Sequence, residues 1–235
     1  MNLTDIHAHI IFGVDDGAKT IEEAIQMIAL AQKQGVQNIV CTSHVTHKTT
    51  ATQMALYENH FQALQEMCGT VHLYRGAEVF YTEEVLPMLQ SGVLPTLAGT
   101  NAVLIEFFPL VFYETVLQAL MELSTAGYIP VLAHAERYDC LRYPGRLAAL
   151  HDTYGVKIQM NASTVLRTKT LLGDKWVRSA LKHGLVDLVG SDTHNTKDRA
   201  CNLEKAHAAL CKLLSQEKAD ALCGGNAEKL LDLGK

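Results

Sequence analysis

Apolar and polar residues alternate along this chain in short blocks. Seven runs carry the aliphatic density of buried strands, over 3–6, 38–41, 71–74, 102–105, 129–133, 156–160 and 185–189. Longer amphipathic stretches separate most of them. The first is the clearest. Thr20-Ile21-Glu22-Glu23 reads as a capping box. Ile21, Ala24, Ile25, Ile28 and Ala31 then recur at helical spacing, and Gly35 stops the helix. Similar helices are expected over 50–67, 112–126, 143–153, 168–183, 199–214 and 216–222, with a last one near 226–232. Strands alternating with helices predict a parallel α/β fold. No repeat, low-complexity segment or Pro/Gly/Ser linker offers a cut point, so residues 1–235 are expected to form one domain. Periodicity leaves a barrel and an open sheet equally open.

Composition narrows the function. The chain has 235 residues, 48% of them hydrophobic, which suffices for a core and excludes a disordered or collagen-like chain. A net charge of −5 argues against nucleic-acid binding. No apolar run approaches the ~20 residues of a membrane span, and Met1–His7 lacks the basic and apolar parts of a secretory signal. A cytoplasmic protein is expected. The six cysteines stand far apart without a C-x-x-C pair, which reads as buried or inert thiols. Eleven histidines against one tryptophan direct attention to metal and proton chemistry.

The ends of the expected strands carry that chemistry. They run into His7-Ala8-His9, Thr42-Ser43-His44, Gly76-Ala77-Glu78, Ile105-Glu106, Ala133-His134-Ala135-Glu136-Arg137 and Gly190-Ser191-Asp192-Thr193-His194. Sites in parallel α/β folds form at the carboxyl ends of strands. One histidine at a strand end is usually structural; six polar ends together point to a site. His7 and His9, two residues apart in a strand, share a face and suit one cation. Asp192 and His194 repeat that spacing. Imidazole mixed with carboxylate suits Mn, Fe or Zn.

These residues, together with Val14-Asp15-Asp16-Gly17-Ala18, Thr42-x-His44, Glu78-Val79 and Leu104-Ile105-Glu106-Phe107, resemble the PHP (polymerase and histidinol phosphatase) family. Within it they are similar to the bacterial metal-dependent tyrosine-protein phosphatases of capsule and exopolysaccharide operons, the CpsB/YwqE type. The resemblance runs from about residue 3 to Asn226-Ala227-Glu228. It implies a distorted seven-stranded (β/α)7 barrel and three divalent metal ions, Mn by expectation, with Fe, Zn or Mg as alternatives. His7, His9, Glu78 and Asp192 would hold the first ion. Glu78, Glu106 and His134 would hold the second, and Asp16, His44 and His194 the third. Arg137 and Arg199 match the family's phosphate-contacting arginines. The implied partner is a phosphotyrosine protein, a bacterial tyrosine kinase with a Tyr-rich C-terminal tail, without direct membrane insertion. Ala135 stands where the family usually has Pro, and His44-Val45-Thr46-His47 departs from the usual second-strand motif.

Such a site suits phosphoester hydrolysis. Paired metals lower the pKa of a bridging water toward ~7, so that the resulting hydroxide can attack phosphorus. Arginines bind phosphoryl oxygens by charge-assisted bonds. A tyrosine phenol, with a pKa near ~10, leaves more readily than an alkoxide. Phe107, Phe108, Phe112, Tyr113, Tyr138 and Tyr143 either wall a phosphotyrosine pocket or fill core. Rival readings keep the metals but change the substrate, to a histidinol-phosphatase-like phosphomonoesterase or a phosphodiesterase. Another makes the chain a non-catalytic binder of a kinase tail. Cys140-x5-Arg146 has the spacing of a cysteine phosphatase, yet Pro144 lacks the N–H that a phosphate cradle needs.

Overall fold

The computed structural model describes residues 2–168 and 174–233. Nine strands occur among them: β1 (Leu3–Ala8), β2 (Val36–Cys41), β3 (His44–Val45), β4 (His72–Arg75), β5 (Glu78–Phe80), β6 (Ala102–Glu106), β7 (Ile129–Leu132), β8 (Lys157–Asn161) and β9 (Leu188–Gly190). Every ladder is parallel. One sheet runs β1-β2-β4 and the other β3-β5-β6-β7-β8-β9. A bridge between Ala8 and Thr193 brings the end of β1 beside the segment after β9, so the parallel sheet curls on itself. The fold is thus α/β with a curled parallel sheet, and its strand count departs from seven.

The departure has a local cause. The expected second and third strands are each interrupted, after Cys41 and after Arg75, and His44 and Glu78 lie on the short strands beyond the breaks. The Glu78 amide donates to the carbonyls of Thr42 (3.2 Å) and Ser43 (3.1 Å). A side chain at Gly76 would meet Val40 at 2.8 Å, so this jog requires glycine. The buried Tyr57 hydroxyl donates to the Cys41 carbonyl (2.9 Å) and also lies against the Gly76 carbonyl, satisfying groups that the break releases from the ladder.

The helices follow the amphipathic pattern. Thr20 caps the helix Ile21–Lys33 by accepting from the Glu23 amide, and Ala24, Met27, Ile28 and Ala31 are buried. The Glu23 carboxylate reaches back to the Lys19 amide (2.9 Å) rather than to Thr20, so the box closes one residue early. A full capping box forms instead at Thr50 and Gln53. The expected helix over 168–183 is helical at Lys175–Lys182, and residues 169–173 lie outside the described residues. Two short helices not marked by the pattern occur at Val85–Gln90 and Ala162–Arg167.

Two apolar clusters result. The larger packs helices against the outside of the sheet, with Val103, Ile105, Leu132 and Ile158 facing Leu120 and Leu123 among others. The smaller fills the inside of the curl with Ile6, Val40, Leu104, Val131 and Leu188, joined by Ala227 and Leu231 of the C-terminal segment. On β6 the parity is clean: Ala102 and Leu104 point inward, and Glu106, next on that face, meets the polar end.

Candidate metal centre

The inside face changes character along the strands. Ile6 belongs to the apolar inner cluster, yet His7 and His9 face the polar end. Strict alternation would separate Ile6 from both. The β1–β2 register shifts between Asp5 and Ala8, and this irregularity changes the parity. Buried Asp5 holds the region by accepting from the amides of Ser191 (2.9 Å) and His7 (3.3 Å). Two glycines make room for the imidazoles. A Cβ on Gly190 would stand 2.7 Å from the His7 Cβ, and one on Gly17 would stand 2.1 Å from the His9 carbonyl oxygen.

All nine candidate ligands converge here. Glu78 is the centre: its Oε2 lies 3.1 Å from His7 Nε2, 3.2 Å from His9 Nε2 and 3.2 Å from His44 Nδ1, and its Oε1 is 2.6 Å from His134 Nε2. Glu106 approaches His44 (3.1 Å) and His134 (3.6 Å). Asp192 stands 3.6 Å from both His7 and His9. Asp16 is 3.2 Å from His194 Nε2 and 3.5 Å from His44 Nε2. The sets overlap more than the resemblance implies. His9 joins Asp16, His44 and His194 in one group of donor atoms within 4.8 Å of one another, and His44 joins Glu78 and Glu106 in another.

Protons alone do not satisfy this cluster. Three ring nitrogens approach one carboxylate oxygen, and the Nε2 atoms of His7 and His9 face each other at 3.2 Å. His194 Nε2 is buried and, although Asp16 lies 3.2 Å away, makes no hydrogen bond. Divalent cations fit such a donor set of imidazoles and carboxylates. Without them, charge balance falls to protons. Burial opposes a charge on His7, but Glu78 and Asp192 outweigh it and push its pKa up to about 10. The same contest, with Glu106 and Glu78 prevailing over burial, puts His44 at about 9. Burial and the neighbouring His9 instead hold His194 down to about 4. Burial of Asp192 is outweighed by His7 and His9, which keep its carboxyl well below the usual range.

The backbone is also unusual here. His134 (φ 32°) and Asp192 (φ 54°) adopt left-handed conformations that residues with a Cβ seldom hold. Each turns the chain at the end of its strand and aims a side chain at Glu78 or at the two strand-one histidines.

Around the ligands lies a shell of orienting groups. Asp15 accepts from His9 Nδ1 (2.9 Å), from the Gly17 amide (2.9 Å) and from the His44 amide (3.0 Å). Gln159 lies 3.2 Å from His7 Nδ1 and accepts from the His134 amide at 2.7 Å; Asn161 donates to Asp192 at 2.7 Å. Such partners fix tautomer and ring orientation. Sequence reasoning did not mark Asp15, Gln159 or Asn161 as site residues. The available signal was two polar side chains, Gln159 and Asn161, two apart at the end of β8.

Arg137 donates to Asp192 at 2.6 Å, and Arg199 donates to Asp192 (3.1 Å) and Asp16 (3.3 Å). Their side chains are 43% and 41% exposed, so both guanidinium groups are accessible from the mouth. Arg199 precedes the helix Leu203–Leu213 rather than beginning it. A tight turn holds it: its carbonyl accepts from the His194 amide and its amide donates to Asn195. A cavity of about 500 Å³ adjoins the site, lined by Val14, Asp16, His44, Val45 and Met54 among others.

The aromatic candidates divide. Phe107 and Tyr138 are core, with the Tyr138 hydroxyl accepting from the Phe107 amide (3.0 Å) and lying 3.4 Å from His134 Nδ1. Phe108, Phe112 and Tyr143 are 70%, 77% and 63% exposed. Tyr113 is half-buried and stacks, like Tyr143, on the Arg146 guanidinium. That stacking removes the cysteine-phosphatase reading. Arg146 packs against the two rings and donates to the Cys140 carbonyl, while burial pushes the Cys140 thiol up, away from a thiolate.

Comparison with known proteins gives a consistent answer. The sequence model of the family described as "Capsular polysaccharide synthesis, CpsB/CapC" matches residues 3–232. The tyrosine-protein phosphatase CpsB of Streptococcus agalactiae serotype V is 33% identical, over 97% of this chain and 98% of its own. The tyrosine-protein phosphatase YwqE of Bacillus subtilis strain 168 is 29% identical, over 97% and 91%. A solved structure from the work on B. subtilis YwqE and Streptococcus pneumoniae CpsB, described as unique metal-dependent tyrosine phosphatases, superposes with a TM-score of 0.84 at 29% identity, covering 99% of this chain and 94% of that one.

Proposed function

This chain belongs to the CpsB/CapC family of capsular polysaccharide synthesis proteins, and we propose that it is a metal-dependent phosphatase that hydrolyses phosphotyrosine on a protein. The observation that carries this reading is the convergence on Glu78, where three imidazoles lie within 3.2 Å of one carboxylate oxygen beneath two accessible arginines.

His7, His9, Glu78 and Asp192 would hold one ion, Glu78, Glu106 and His134 a second, and Asp16, His44 and His194 a third. Manganese suits the donors, with Fe, Zn or Mg taken according to supply. When bound, the ions supply a water-derived nucleophile at neutral pH and draw charge from the phosphoryl oxygens. Arg137 and Arg199 bind and orient the phosphoryl group, exchanging part of their hold on Asp192 and Asp16 for its oxygens. Gln159, Asn161 and Asp15 keep the imidazoles and Asp192 aimed. Counting 36–45 and 72–80 each as one interrupted strand supports the reading of a seven-stranded PHP-type barrel, which we take as one domain over 1–235. The relatives are named tyrosine-protein phosphatases; the finer reading, which follows the resemblance seen in the sequence, is that the substrate is the phosphorylated tail of a bacterial tyrosine kinase in the cytoplasm. Among the described residues no helix is long and apolar enough to cross a membrane.

The test is elemental analysis of the purified protein together with turnover of a phosphotyrosine peptide, histidinol phosphate and bis-p-nitrophenyl phosphate. The expected result is bound divalent metal, preference for the phosphopeptide, and loss of turnover on chelation, restored by manganese. A metal-loaded protein inert on every phosphoester would leave only a binding role.

A further inference from the structure

Glu78 and Phe80 lie two residues apart on β5 and share its inner face. Phe80 pairs in register with Glu106 of the parallel neighbour β6, so its ring stands beside that carboxylate on the same side of the sheet. Phe108 follows Glu106 by two residues. Its ring meets Phe80 edge-on, with centroids 4.6 Å apart and planes at 70°. The two rings therefore form a step just past Glu78 and Glu106, with Phe80 at the end of β5 and Phe108 two residues beyond the end of β6. Phe80 is half-buried, whereas Phe108 remains 70% exposed, and the edge contact leaves ring surface open. The exposed ring surface offers aromatic contact beside the polar centre.

We propose that Phe80 and Phe108 are specificity-determining residues that receive the aromatic ring of an aryl phosphate, so that the site prefers aryl over alkyl phosphoesters through binding as well as through the leaving group. The inference rests on the phosphatase reading above and names the residues that would recognise the ring of its substrate. In an aryl phosphate one oxygen separates phosphorus from the ring. A phosphoryl group held between the carboxylate cluster and the two arginines must then place its ring at the first surface outside the carboxylates. On the β5–β6 side that surface is the Phe80–Phe108 step. Offset or edge-to-face packing against it is the arrangement that aromatic groups favour. An alkyl chain gains less there, having neither the area nor the quadrupole.

Phosphonates isolate this effect, because they keep the phosphoryl charge and have no leaving group. Inhibition of phosphotyrosine-peptide turnover by phenylphosphonate and methylphosphonate is measured on the metal-loaded protein. The wild type is expected to bind phenylphosphonate about tenfold more tightly. Phe108→Ala should reduce that ratio to about twofold by weakening phenylphosphonate alone, and Phe108→Trp should retain it. Phe108 is exposed, so metal content and melting temperature should stay at the wild-type values in both variants. Equal inhibition by the two phosphonates in the wild type would overturn the proposal, as would an unchanged ratio in Phe108→Ala. Absence of peptide turnover by the metal-loaded wild type would instead overturn the enzymatic reading beneath it.

Discussion

The two ends of the curl's interior use the same strands and the same side-chain faces for opposite purposes. At the closed end Ile6, Val40, Leu104, Val131 and Leu188 pack with Ala227 and Leu231 into an apolar plug. At the open end His7, Glu78, Glu106, His134 and Asp192 crowd together with His9. On β6 the change takes a single step, from Leu104 to Glu106. The plug's stability comes from removing apolar surface from water. The mouth instead gathers buried carboxylates and imidazoles whose loss of water must be offset by protons or by cations. Depth along a strand, not its periodicity, separates core from site.

Substitutions at the two ends should therefore fail in different ways. The largest effect is expected for Glu78→Gln, which removes the shared negative charge from the centre. Loss of bound metal in elemental analysis and a fall in turnover of about a thousandfold or more should accompany each other, since metal ions contribute several kcal/mol to such reactions. If the variant kept its metal and its rate, Glu78 would not be a ligand.

At the plug, Leu231→Ala should cost about 2–5 kcal/mol of stability in denaturant unfolding. Metal content and turnover per folded molecule should remain those of the wild type. A loss of metal in this variant would break the contrast, because it would mean that floor and mouth behave as one unit.

Arg137→Ala tests the mouth without replacing a proposed ligand, although it removes a hydrogen bond to Asp192. Retained metal and a drop in kcat/KM of about tenfold to a hundredfold are expected, the usual range for losing charge-assisted hydrogen bonds. The smallest effect within the mouth should come from its outer layer. Asp15→Asn keeps the size of the side chain but weakens the acceptor for His9 Nδ1, so metal affinity in a competition titration should fall about tenfold. Unaltered affinity would reduce Asp15 to a loop fastener for Gly17 and His44.

Much of this was readable before any coordinates. The aliphatic runs located the main strands, because buried parallel strands need little alternation. Thr20 marked its helix start because only a few side chains accept from a free N-terminal amide. The polar residues after those runs marked the mouth, since parallel strands deliver their carboxyl ends to one side. The breaks after Cys41 and Arg75 were not readable. They depend on Gly76 fitting against Val40 and on Tyr57 reaching two carbonyls from a different element. Nor did the aromatic residues announce which were core: Phe107 and Phe108 are neighbours in sequence, yet one is buried against Tyr138 and the other stands at the rim.

The sequence by itself thus determined the alternation of strands and helices and the polar strand ends, because each depends on spacing along a few residues; the full ligand set, with Asp16 in a loop, followed from the family resemblance. The tertiary structure decided how those ends meet. A register shift in β1 directs both His7 and His9 to the mouth, and the Asp192 amide donates to the His7 carbonyl across the closure of the curl at 2.8 Å. Left-handed turns at His134 and Asp192 complete the convergence. Such features depend on contacts between residues far apart in the chain, and one extra residue in a strand is enough to reverse which face its side chains occupy.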